Sequence, residues 1–146
     1  MSNTIVSLNE RRRKKEWDFE KKILRTLSIK DIQSISETFF IPVFPNFHFQ
    51  YSFMEDACVD LAIDSFLLGA KYSRLGVRGE DDISIKERAN REVKFLVKEL
   101  YNFMYGWVHD PQAKEEKMFE AVDGFVVHWW EKGFETGKTR LLLRLQ

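Results

Sequence analysis

The chain has 146 residues, with 23 basic and 23 acidic side chains and a formal net charge of zero. That balance argues against a dedicated nucleic-acid binder, which carries basic excess. A single cysteine, Cys58, excludes a disulfide-built scaffold. Length alone allows one domain with a self-sufficient core.

The opening residues, Met1 to Lys15, lack an apolar segment beside the basic run Arg11–Lys15, so no secretory signal is expected. Residues 1–10 are expected to be disordered and 11–16 frayed, because positive charge opposes the dipole at a helix start. The first helix is expected over Glu10–Leu27, with Trp17, Ile23, Leu24 and Leu27 on one side. Ser28 and Asp31 have capping spacing for a second, short helix carrying Ile29, Ile32, Ile35 and Phe39. Pro42 ends it, since the residue before proline is pushed out of helical geometry. Residues 42–53 are too rich in aromatics for a free linker and are expected to pack across the helices.

The third helix, Met54–Leu75, carries one polar stripe. At 100° per residue, Asp56, Asp60, Asp64, Leu67 and Lys71 cluster within about 40° of one another's mean direction. Most of the remaining circumference is apolar or small, so this helix should lie at the centre of a bundle. Gly76 and Gly79 are expected to end it. Ser84 and Glu87 have capping-box spacing for a fourth helix, whose stripe is Ile85, Ala89, Val93, Leu96, Leu100, Phe103, Met104 and Trp107. Arg91, Lys94 and Lys98 fall on its outer face. Asp110 and Pro111 stop it and open a fifth helix with the stripe Met118, Phe119, Val122, Phe125, Val126, Trp129 and Trp130. Gly137 reads as its C-cap, followed by an apolar tail, Leu141–Leu145. The whole is an all-α, single-domain helical bundle of about five helices around a central third helix, over residues 1–146.

The chemistry is sparse. Asp56, Asp60 and Asp64 stand at i, i+4 and i+8, where like charges repel by a few tenths of a kcal/mol per pair. They form either the solvated stripe of a buried helix or a site for a metal or cationic ligand. The Glu-x-x-His pairs of a di-metal bundle are missing. Paired acidic i, i+3 sites, as in a helical nucleotide pyrophosphatase, are also missing, since only Glu120 and Asp123 have that spacing. His128 falls with Glu131 and Glu135 on an outer face, His48 lies among aromatics, and His109 stands at a helix end. Cys58 lies on the apolar arc, unsuited to a reactive thiol. Gly133 to Thr139 follows a helix rather than a strand and misses the phosphate-loop spacing. No cofactor is expected, and no catalytic residues are assigned.

Arg11–Lys15 could touch phosphates, but Glu10, Glu16, Asp18 and Glu20 dilute its field. Phe95 and Tyr105 lie off the main stripe of the fourth helix and are candidates for a partner surface or self-association. The longest apolar run, Phe39–Phe44, is far short of a membrane span.

Two stretches, Ala57 to Gly69 and Tyr101 to His109 continued by Phe125 to Phe134, resemble a family of small cytoplasmic proteins from spore-forming Gram-positive bacteria, classed as a domain of unknown function. The resemblance spans about Trp17 to Phe134 and implies a cytoplasmic location, but no activity. The leading expectation is a non-enzymatic cytoplasmic protein acting through protein–protein contacts. The alternative is a helical-bundle metal or small-ligand binder using Asp56, Asp60 and Asp64.

Overall fold

Helix-forming sequence begins almost at the N-terminus. The computed structural model describes the backbone of residues 3–107 and 115–144. It contains α1 (Asn3–Leu24), α2 (Ile29–Phe40), α3 (Ser52–Val77), α4 (Asp82–Trp107) and α5 (Glu115–Arg144). There is no strand among the described residues.

α1 starts at Asn3, not near Glu10, and takes in the stretch expected to be disordered or frayed. An early start places Arg11–Lys15 more than two turns inside the helix, where the terminal dipole has faded and Arg, Lys and Glu are good helix formers. Among its described side chains, Phe19 and Ile23 are buried, whereas Trp17 is exposed. The expected stripe was therefore displaced, with Phe19 taking the inward place given to Trp17. Thr26 Oγ1 donates to the Ile23 carbonyl at 2.7 Å and closes the end of the helix.

Ser28 caps α2 as expected, accepting the Asp31 N–H at 3.1 Å. The buried line of α2 is Ile32, Ser36 and Phe40, and Ile29 faces out. The connector after Pro42 packs into the core through its aromatic side chains. Phe44, Phe47 and Phe49 are buried there. Phe40 lies 5.4 Å from Phe47 and 5.2 Å from Phe125 between ring centres.

Gly79 ends α3. It has φ +100°, a left-handed conformation. Its N–H donates to the Gly76 carbonyl while Glu80 N–H reaches the Leu75 carbonyl, the paired bonds of a Schellman stop. Gly76 stays inside the helix instead, and a side chain there would press on the Phe134 ring. α4 begins two residues before the expected Ser84. Asp81 provides the cap, its Oδ1 accepting the Ser84 N–H at 2.8 Å. The Asp110–Pro111 boundary and His109 lie outside the described residues.

α3 packs on all four other helices, as a central helix should. α5 does the same, and the α3–α5 contact is the most extensive in the molecule, so the centre is a pair. Small residues make that contact possible. A methyl group on Gly69 would fall on the Trp130 carbonyl oxygen, and one on Gly133 would fall on the Phe66 carbonyl oxygen. The backbones touch at this crossing. Gly137 continues the seam, where a Cβ would come within 3.0 Å of the Ala70 Cα. This corrects the reading of Gly137 as a C-cap. The helix continues to Arg144, because the glycine serves close approach to α3 rather than termination. Leu141 packs on the core, while Leu142 and Leu143 are exposed.

Candidate functional site

The aspartate stripe of α3 faces outward. Asp56, Asp60 and Asp64 are all exposed. Asp64 has its carboxyl pKa raised, first by partial burial and then by the charges of Asp60 and Glu99. Among the described residues, no group of three or more His, Cys, Asp or Glu side chains is placed to hold a metal ion.

The other polar candidates are scattered. Cys58 is fully buried, and burial pushes its thiol up to about 12, with Ser36 opposing the shift. A thiol so placed is inert. His48 is exposed in the connector, edge-on to Tyr51 at 5.2 Å. His128 is half-buried rather than on a free outer face. Its ring packs edge-on against Phe39 at 6.1 Å and Trp129 at 5.1 Å. Burial lowers its pKa, Lys132 adds to the effect, and Glu131 and Glu135 oppose it. Beside it, α2, α3, α5 and the turn before α2 line an open pocket of about 440 Å³, whose polar lining includes Asp31, Ser34 and Lys132. The Arg11–Lys15 run is exposed along α1.

Phe95 and Tyr105 are both exposed, at 61% and 52%. They belong to different surfaces. Tyr105 stacks on Tyr101, which meets Phe119 edge-on, at the junction of α4 and α5. Phe95 stands on the wall of a larger cleft.

That cleft has a volume of about 930 Å³ and lies between α1, α3 and α4. It exists because, among the described residues, α1 and α4 both pack on α3 but not closely on each other. Its floor is apolar, built from Phe19 and Ile23 of α1, Leu67, Leu68 and Ala70 of α3, and Leu96 of α4. Arg74 lies over the Phe19 ring at 5.5 Å, fastening α1 to α3 along one edge.

The cleft walls are charged and unequal. Arg91, Lys94 and Lys98 of α4 line one side, and Lys71 and Arg74 of α3 add cations to the lining, Arg74 at the α1 edge. None of these cations is within ion-pairing distance of a described carboxylate; the described ion pairs are Lys86–Glu131 and Arg88–Glu80. Glu92, on the same wall, is engaged by the Tyr72 hydroxyl, and this bond pushes the Tyr72 pKa up to about 12. α1 contributes Glu16 and Glu20 to the opposite wall.

Sequence reasoning found Phe95 but placed Arg91, Lys94 and Lys98 on a plain solvated face. A signal was present, since Arg91, Lys94, Phe95 and Lys98 share one edge of α4. Its meaning depends on the gap beside α1, which spacing within α4 cannot reveal.

The fold and cleft define a class: a five-helix protein with a tightly crossed central helix pair and an open, charged cleft between two helices that do not pack closely on each other. The chain belongs to the family described as "Protein of unknown function (DUF2521)", which matches residues 1–146. It is 31% identical over 144 residues to the "Uncharacterized protein YbaK" of Bacillus subtilis (strain 168), covering 97% of this chain and 98% of that protein. These matches bear out the resemblance to an unknown-function family of Gram-positive bacteria. No solved structure matches the chain.

Proposed function

We propose that this chain is a non-enzymatic cytoplasmic protein that acts through protein–protein contacts, and that the α1–α3–α4 cleft is its contact surface. The observation carrying this reading is Phe95, 61% exposed on the wall of a cleft with an apolar floor and unpaired cations around it. Large exposed aromatics beside an apolar depression mark contact surfaces. The burial of Cys58 and the separation of His48 from His128, on the connector and on α5, favour binding over catalysis. No described helix is long and apolar enough to cross a membrane.

The test uses tagged full-length chain recovered from native cells, as wild type, Phe95→Asp, Lys94→Glu with Lys98→Glu, and Asp60→Asn. Circular dichroism verifies that each variant folds. Wild type and Asp60→Asn should retain the same partner at fixed stoichiometry, and the two cleft variants should lose it. Retention of that partner by folded cleft variants, or its absence from wild type, contradicts the reading.

A further inference from the structure

Resting on that reading of the cleft, we infer that its occupant is an amphipathic helix of a partner protein, with an acidic edge against α4 and a basic edge against α1. The cleft is the space a further helix would occupy around α3, since α1 and α4 flank it and do not pack closely on each other. The lining runs along α3 from Asp64 to Arg74, ~15 Å at the helical rise, or about three turns. The floor accepts an apolar stripe, the mode in which an amphipathic helix enters a groove.

Charge selects among occupants. On the α4 side, Arg91, Lys94 and Lys98 outnumber Glu92, which is already bonded to Tyr72, while Arg74 of α3 lies against Phe19 on the α1 side. On the α1 side, Glu16 and Glu20 stand one turn apart. A fatty-acid anion offers one charge at one end. It would leave most of the cationic wall and all of the acidic wall unanswered. A helix with edges of opposite sign answers both, and those edges also fix its direction, because reversing the helix exchanges them.

Three synthetic peptides of about 14 residues test this, each long enough to span the cleft. The first has leucines at i, i+3, i+4 and i+7, glutamates along one edge and lysines along the other. The second keeps the leucines and has lysines on both edges. The third scrambles the first. Binding to the full chain is followed by calorimetry and by backbone amide NMR shifts. The first peptide should bind, shift Leu67–Arg74 and Arg91–Lys98, and bind at least about ten-fold tighter than the second or third. Lys94→Glu with Lys98→Glu should reverse the order of the first two. Equal binding of all three, shifts elsewhere, or failure of the first peptide to bind overturns the inference about the occupant. Laurate producing the same shifts while the first peptide produces none overturns it in favour of an anionic amphiphile. Either result leaves the cleft reading to be judged by partner loss in the Phe95→Asp variant. If the partner is a second copy of this chain, the proposed helix is also overturned, while the cleft reading stands.

Discussion

His128 couples packing to proton uptake. Its ring lies between Phe39 and Trp129, and burial lowers its pKa from the usual 6.5. The unfolded chain therefore binds the proton first on acidification. The stability from the neutral ring is complete above about pH 6.5 and is lost as pH falls through the lower folded-state value. Denaturant titrations between about pH 7.5 and 5 should show stability falling with pH, and His128→Gln should flatten that part of the profile. A profile unchanged by the substitution would contradict this account. Asp64 behaves in the opposite sense, its pKa raised by partial burial and then by Asp60 and Glu99. Asp64 is held among like charges, so Asp64→Asn should be neutral or should stabilise by a few tenths of a kcal/mol. Millimolar Mg²⁺, Mn²⁺ or Zn²⁺ should leave the melting temperature within about 1 °C, since a bound metal would raise it by mass action. A metal-dependent rise abolished in Asp60→Asn would restore the metal-site alternative.

At the scale of elements, two glycines with different surroundings give a paired prediction. Gly133→Ala places a methyl on the Phe66 carbonyl and forces α3 and α5 apart. A loss of about 3 kcal/mol or more is expected, with a melting-temperature drop of ~10 °C. Gly106, in the last turn of α4, has nothing within 4 Å of an added Cβ. Gly106→Ala should be tolerated, with at most a slight stabilisation of about 0.4 kcal/mol. Equal effects in a denaturation series would contradict the glycine crossing. The same residues show where sequence is legible. All five helices were readable because periodicity, the Ser28 cap and the Pro42 stop are local signals. Gly137 misled because a glycine after an apolar stripe signals either a helix end or a close crossing, and only the partner helix decides. Trp17 misled for a related reason, its expected inward place being filled by Phe19. Both are plausible inward residues on α1, and the position of α3 beneath the helix selected Phe19. The outward face of the α3 aspartates was legible as one of two readings, because the rest of that helix is so apolar.

Over the whole molecule, balanced charge conceals an uneven arrangement. Residues 1–50 carry nine basic and six acidic side chains, while the remainder carry 14 and 17. Folding inverts the sense of this split at the cleft, where α1 presents Glu16 and Glu20 and the later α3 and α4 present the unpaired cations. No sequence window contains that juxtaposition, because it joins residues some 75 positions apart across a gap between helices. The aromatic surplus divides in the same way. Phe40, Phe44, Phe47 and Phe125 fill the core, and Phe95 is left at the cleft. The most direct measurement is photo-crosslinking in native cells, with benzoylphenylalanine replacing Phe95 in the full chain and, separately, replacing the exposed Ile83 as control. A single protein adduct should form from position 95, be absent from position 83, and disappear when Lys94→Glu and Lys98→Glu are added. No adduct from position 95, or the same adducts from both positions, would contradict the cleft as the contact surface.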